Sequence, residues 1–328
     1  MKRNIAVIGC GYWGKNHVRV LDELGYLGAI CDSDLNKKIV GDGITSSKEK
    51  MVYKYRHVAQ YMHYRDVLMD KNISAVVVAT PANTHYEITS TALDFGTHVL
   101  VEKPMAMGTV EADRMIGAAE NSHKILMVGH ILEYHPAVIA LEKYIKGGHL
   151  GELQYLYSNR LNIGRIRKEE SVLWSFAPHD IALIRTIVGA LPLSVGVKEV
   201  SYLTEGVSDI TIMHLDFSGG IKAHIFVSWL HPVKEQKFVV IGSKAMAVFD
   251  DQTNEKVKIY EHKIEWREPS EVAHIDKAEY KVLCGSSGGV EPLKAELKHF
   301  VECCETGKNP KTGGAEGREV LKILEGRK

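Results

Sequence analysis

The chain is poor in cysteine and has no surplus of charge. Five cysteines occur in 328 residues: Cys10, Cys31, Cys284, Cys303 and Cys304. The number is odd, no CxxC is present, and the spacing fits no zinc site. Neither a disulfide framework nor a bound metal is expected, and a reducing, cytoplasmic compartment is the natural reading. Lys and Arg together number 41, Asp and Glu 41, for a formal net charge of zero. A protein that grips nucleic acid carries a basic excess, so no nucleic-acid partner is expected. No apolar run reaches the roughly 18 residues of a membrane span. Lys2 and Arg3 look briefly like the start of a signal peptide, but the apolar stretch Ile5–Ile8 is too short and glycines follow at once. Neither an internal repeat nor a low-complexity linker appears.

What is present suits a soluble globular protein. Hydrophobic residues make up 45% and charged residues 25%, which argues against disorder. At roughly 150 residues per domain the length predicts two domains, each large enough to bury a core unaided.

The first third alternates strand and helix signals. Ile5–Ile8, Leu27–Cys31, the run Ser74–Ala79, His98–Val101 and Ile125–Val128 read as strands. The continuous apolar run at 74–79 suits a strand buried on both faces. Between these strands lie helical stripes such as Ala112, Met115, Ile116 and Ala119. Strands separated by helices imply a doubly wound parallel sheet. Beyond about residue 150 the period changes to two. Ile221, Ala223, Ile225, Val227 and Trp229 alternate with Lys222, His224, Phe226 and Ser228, the mark of a half-buried strand. Ser218-Gly219-Gly220 reads as a hairpin turn before it. The Tyr-rich stretch 53–64 reads as a surface helix. Near the end Leu293, Leu297, Phe300, Val301 and Cys304 share one helical face. The expected fold is α/β: a parallel domain over residues 1–128, then an α+β domain with an open, mostly antiparallel sheet over residues 129–328, its C-terminal helices able to pack back near the first domain. The cleft between two such domains is the default ligand site.

The sharpest local signal is Gly9-Cys10-Gly11-Tyr12-Trp13-Gly14, a GxGxxG placed after a strand and at the start of a helix. Gly9 permits the tight turn, Gly11 lets the backbone approach a pyrophosphate, and Gly14 lets helix and strand pack closely. The helix N-terminus then offers N–H donors to phosphate. Asp32 stands 18 residues after Gly14, at the end of the second strand. A carboxylate there accepts bonds from a ribose hydroxyl and repels a 2′-phosphate, which favours NAD over NADP. Tyr12 and Trp13 join the cofactor-binding set as part of the turn. Thr80, Pro81, Asn83 and His85 join it because they follow the fourth strand at its C-terminal end, the ligand edge of such sheets. Asn83 or Thr84 could equally cap the next helix. Glu102-Lys103-Pro104 ends the following strand, and Glu102 and Lys103 complete the expected cofactor-binding set. A lysine at the edge of a nicotinamide pocket can stabilise a developing alkoxide. Proline after it restricts Lys103 to extended backbone.

With GCGYWG, ATPANTH and VLVEKPMAM in place, the chain resembles the Gfo/Idh/MocA oxidoreductase family. The resemblance continues through VGHILEYHPAV, APHDI and EPLKAELKHFVECCETGKNP. It implies a Rossmann domain, a second domain with an open sheet, an NAD(P) cofactor, and homodimers or homotetramers formed through that sheet. It implies Lys103 as the catalytic lysine and His179 as the catalytic histidine of a D-x-G-x-H motif. An imidazole titrates near neutral pH and suits a general base. Here Ser175 replaces the usual Asp and Ala177 the usual Gly, which leaves position 175 without its carboxylate. Asp180 is a possible substitute.

The variant WSFAPHD is most similar to family members that act on nucleotide-linked sugars. Those oxidise C3 of UDP-N-acetylglucosamine or its uronate, for amino-sugar and surface-polysaccharide synthesis. Arg160, Arg165, Arg167 and Lys168 would form a cationic loop suited to a diphosphate, or a solvated loop balanced by Glu169 and Glu170. Tyr134 and His135 complete the expected substrate contacts with Lys103, Arg165, Arg167 and His179. The alternatives are a dehydrogenase of a free polyol or hexose, and a non-catalytic NAD-dependent sensor, which would lack Lys103 or His179.

Overall fold

The apolar runs of the N-terminal region form the middle of a parallel sheet in the computed structural model, which describes residues 4–35, 51–163, 166–168, 170–266, 273–277, 279–285 and 289–326. The elements there are β1 (Ile5–Ile8), α1 (Gly14–Leu24), β2 (Leu27–Cys31), α2 (Met51–Lys54), β3 (Ala59–Tyr61), α3 (Tyr64–Met69), β4 (Ala75–Val78), α4 (His85–Asp94), β5 (His98–Glu102), α5 (Thr109–Ser122) and β6 (Leu126–Gly129). The strand order is β3-β2-β1-β4-β5-β6, and every pairing is parallel. β1 and β4 are buried at every residue, as a sheet covered on both faces requires. The order reverses between β1 and β4. Loops leaving the C-terminal ends of these two strands therefore part, and ligands bind in such a crevice. The Gly9–Gly14 and Ala79–Thr84 segments both lie there.

The stretch expected as a surface helix contains edge strand β3 between two short helices. Three half-exposed residues carry no apolar run, so the strand has no sequence signature. Its pairing to Ala29–Cys31 and the bond from the Tyr61 hydroxyl to Asp70 Oδ2 (2.8 Å) hold it.

The second set comprises α6 (Pro136–Lys146), β7 (Leu153–Leu161), α7 (Val172–Val188), β8 (Ser194–Val200), β9 (Ile210–Asp216), β10 (Lys222–Ser228), β11 (Glu235–Gly242), β12 (Ala245–Asp250), β13 (Val257–Trp266), β14 (Ala273–Lys277) and β15 (Lys281–Cys284). The order is β14-β13-β12-β11-β7-β10-β9-β8, with β15 also on β13. Only β7 and β10 pair in parallel among the described strands; the sheet is otherwise antiparallel. Gly219 and Gly220, both at positive φ, turn β9 into β10 as the sequence suggests. Ala223, Ile225 and Val227 are buried beneath α7, which packs on β10, β7 and β9. The opposite face carries half-buried aromatics, including Tyr157 stacked on His224 at 5.2 Å.

Helices α8 (Pro292–Thr306) and α9 (Gly314–Leu324) follow. The chain divides into two compact units, and residues 293–321 belong with 1–130, whereas 131–292 and 322–328 form the second. The C-terminal helices thus return to the first unit. The cause is specific. Val128 N–H donates to Thr312 O (2.7 Å), and Thr312 Oγ1 donates back to Val128 O (2.8 Å), which covers the open edge of β6. A Cβ on Gly317 would lie 2.6 Å from Met105 Sδ, so glycine is what lets α9 approach so closely. No described helix is long and apolar enough to cross a membrane.

Candidate active site

The cofactor turn is built by steric exclusion. Gly9 has φ +90, and a Cβ there would stand 2.7 Å from the Ala79 carbonyl. A Cβ on Gly14 would stand 1.8 Å from Gly9 O. At Gly11 a Cβ would meet no protein atom within 4 Å, so it would intrude only on a ligand lying against the turn. No side chain caps the N-terminus of α1 and no acidic residue stands in its first turn. Both facts suit a pyrophosphate.

Asp32 is buried at the end of β2. Its Oδ2 accepts from Cys10 N (2.8 Å) and its Oδ1 from Asp34 N (3.0 Å). The carboxylate is thus oriented by the turn it would serve, as recognition of a ribose demands. The residues present fit NAD.

Glu102 is the hub of this unit. It is 8% exposed, and a glycine at 129 leaves it room: a Cβ there would lie 2.9 Å from Glu102 Oε1. Trp13 Nε1 donates to Oε1 (2.6 Å), and His17 Nε2 lies 2.7 Å from the same oxygen. The Lys103 backbone N–H donates to Oε2 (3.2 Å). Burial alone would raise its pKa, but the bonds and charges of His17, Lys103 and Trp13 outweigh that and lower it. Glu102 therefore ties the glycine turn to the lysine. His17 looks in the sequence like one more member of a helical stripe; it is fully buried against this carboxylate.

Lys103 is half-buried after β5, and its peptide to Pro104 is cis. His85 is 1% exposed. Its Nδ1 lies 2.8 Å from Pro104 O and its Nε2 2.9 Å from Thr80 O. It braces the two loops from behind, so the structure gives the expected cofactor residue a supporting place. Thr84 donates to Thr80 Oγ1 and Pro81 O (both 2.7 Å) and makes no side-chain cap on α4. Pro81 and Asn83 are exposed, Tyr12 is 59% exposed and Trp13 36%.

In the second unit His179 is half-buried on α7, one residue after the internal Pro178. Asp180 does not stand in for the missing carboxylate at 175. It is 1% exposed and faces the sheet, accepting from Arg160 Nε (2.8 Å), Arg160 Nη2 (3.0 Å) and Ser158 Oγ (2.7 Å). Arg160 is correspondingly a half-buried residue of β7 and not part of a cationic loop. Burial disfavours its charge, but Asp180 more than compensates and raises its pKa. Ser175 is buried. Arg165 lies outside the described residues. Arg167 is exposed and ion-paired with Glu170, in keeping with a balanced, solvated loop. Tyr134 is 6% exposed. His135 caps α6, its Nδ1 accepting from Ala137 N (3.1 Å). Burial lowers its pKa, partly opposed by Asp251. None of the five cysteines forms a disulfide.

The fold and the glycine turn define an NAD-binding Rossmann protein. Residues 3–130 match the family described as "Oxidoreductase family, NAD-binding Rossmann fold", and residues 138–248 match the GFO/IDH/MocA C-terminal domain. The chain belongs to the Gfo/Idh/MocA oxidoreductase family. It is 27% identical over 223 residues to the UDP-N-acetylglucosamine 3-dehydrogenase of Acidithiobacillus ferrooxidans, a match covering 68% of this chain and 66% of that one, just under two thirds of the relative's length. It is 26% identical over 262 residues to the inositol 2-dehydrogenase of Burkholderia lata, covering 76% of this chain and 75% of that one. A solved structure of the Acidithiobacillus enzyme superposes with a TM-score of 0.79 at 22% identity, over 99% of this chain and 96% of that one. At that identity the likeness concerns the fold.

Proposed function

We propose that the protein is an NAD-dependent dehydrogenase that oxidises a secondary hydroxyl of a sugar, at C3 of a UDP-N-acetylhexosamine or its uronate. The observation that carries it is Lys103: a half-buried cation whose backbone is tied through Glu102 to the glycine turn. Bound NAD supplies the acceptor for a hydride. Asp32 holds the adenosine ribose, and Gly9 to Gly14 hold the diphosphate. Lys103 stabilises the alkoxide that forms as the hydroxyl proton leaves, and His179 accepts that proton. These groups position and polarise, while the redox chemistry belongs to the cofactor. The nucleotide-sugar substrate is supported by the Acidithiobacillus relative. The open aromatic face of the second sheet is the proposed surface for a homodimer or homotetramer, in a cytoplasmic setting.

A free polyol is the second reading. It is supported by the inositol dehydrogenase relative and by the engagement of Arg167 with Glu170, which leaves that guanidinium less available to a diphosphate. A substrate panel separates them: NAD with UDP-N-acetylglucosamine, its uronate, free N-acetylglucosamine and myo-inositol, plus a transaminase and amino donor to remove the ketone. Reduced nicotinamide is expected with the UDP-sugars alone. Turnover of myo-inositol or the free sugar would replace the substrate assignment and leave Lys103 and His179 in their roles.

A further inference from the structure

His17 is a polar residue where packing alone asks for an apolar one. It lies on the buried face of α1 with Val18 and Leu21 and is fully buried. A valine or leucine would fill such a place without the cost of burying an imidazole. The ring has one polar engagement. Its Nε2 stands 2.7 Å from Glu102 Oε1, and its Nδ1 has no hydrogen-bond partner among the described residues. Burial works against the charge of Glu102, but His17, Lys103 and Trp13 hold it as the anion. An ionised carboxylate only accepts, so Nε2 of His17 carries the proton and donates.

Trp13 Nε1 donates to the same oxygen at 2.6 Å. Trp13 is the N-cap residue of α1, and His17 follows four residues later, one turn along the same face. Their rings meet edge to face, with centroids 6.2 Å apart. One bond from the first residue of a helix leaves its axis free to pivot. Two donors a turn apart on one carboxylate fix its direction. That direction matters because the N-terminus of α1 aims its N–H groups at the cofactor diphosphate. The carboxylate is itself anchored. Its Oε2 accepts from Lys103 N (3.2 Å), and its strand, β5, is paired on both sides, to β4 and β6.

We propose that His17 is a positioning residue for the cofactor: its Nε2–H, bonded to Glu102, sets the angle at which α1 leaves the glycine turn and, through the same carboxylate, the place of Lys103. The part concerning Lys103 rests on the proposed dehydrogenase role. The part concerning α1 rests on NAD binding, which is measured without any sugar.

The test uses three variants. His17→Leu keeps the bulk and removes the donor, and His17→Gln keeps an N–H near the place of Nε2. Val20→Ala, at another buried position of α1, removes packing from the same helix and leaves the donors to Glu102 in place. His17→Leu is expected to bind NAD about tenfold more weakly, the order of one hydrogen bond to a charged group. His17→Gln is expected to recover NAD affinity to within about threefold. Val20→Ala is expected to lower Tm and to hold NAD affinity within about twofold. The indole N–H resonance of Trp13, assigned with Trp13→Phe, is expected to shift in His17→Leu before any NAD is added, and to move back in His17→Gln. The proposal is overturned if His17→Leu binds NAD as tightly as the wild type, or if His17→Gln binds no better than His17→Leu. It is also overturned if Val20→Ala loses NAD affinity as His17→Leu does for the same fall in Tm, or if the Trp13 resonance stays where it is. Weaker NAD binding by His17→Leu, with no sugar turned over by the wild type, would support the part concerning α1 and overturn the part concerning Lys103. Should the leucine variant fail to fold, the imidazole nitrogen shifts of the wild type decide: a proton on Nδ1 with a bare Nε2 overturns the proposal, and a proton on Nε2 supports it.

Discussion

Lys103→Ala is expected to lower kcat by about three orders of magnitude, a loss of roughly 4 kcal/mol of transition-state stabilisation. NAD affinity is expected to change by no more than about twofold. The two halves have separate structural causes. The ammonium group is what the alkoxide would feel, and alanine removes it. The link to the cofactor turn runs through the Lys103 backbone N–H, which donates to Glu102 Oε2, and alanine keeps that donor. Trp13 and His17 remain on Oε1. Steady-state kinetics beside NAD titration by tryptophan fluorescence reads both. A variant that loses NAD binding together with turnover would mark Lys103 as a cofactor or folding residue.

Arg160→Met has the largest expected effect on stability, a loss of about 3–5 kcal/mol. The side chain of Asp180 is 2% exposed and that of Arg160 13%. Removing the guanidinium leaves a buried carboxylate with only the Ser158 hydroxyl and no cation beside it. The gain from the ion pair is modest against an apolar pair; the cost lies in breaking it on one side. Arg160→Met combined with Asp180→Leu is therefore expected to recover most of the lost stability in urea unfolding. A single variant that loses less than about 1 kcal/mol would show that the pair is better solvated than its burial indicates. Because Asp180 follows His179 on α7, the single variant is also expected to lower kcat.

The parts legible in the sequence share one property: their signal is local. The GxGxxG turn needs glycine for reasons visible within six residues, and its steric basis recurs in the Gly9 and Gly14 contacts. The period of two at 221–229 reports one face of one strand, and β10 buries the expected residues. What was not legible depends on partners distant in the chain. Arg160 looks like one of four loop cations until Asp180, 20 residues on, is seen to hold it. His85 sits at the ligand edge of the sheet, yet its ring is engaged with Thr80 and Pro104 carbonyls. Glu296, fully buried on the inner face of α8, did leave a signal: it lies three residues after Leu293 and four before Phe300, on the apolar stripe itself. A charged residue at such a position is either paired or neutral.

The most direct test of the dehydrogenase assignment follows the hydrogen. The sugar that turns over in the panel is prepared with deuterium on the carbon that is oxidised, and the reduced cofactor is isolated and weighed. Direct hydride transfer predicts one deuterium in the NADH formed by the wild type, and no measurable NADH from Lys103→Ala over the same time. NADH without deuterium, or no NADH from any sugar, polyol or nucleotide sugar tested, would contradict it.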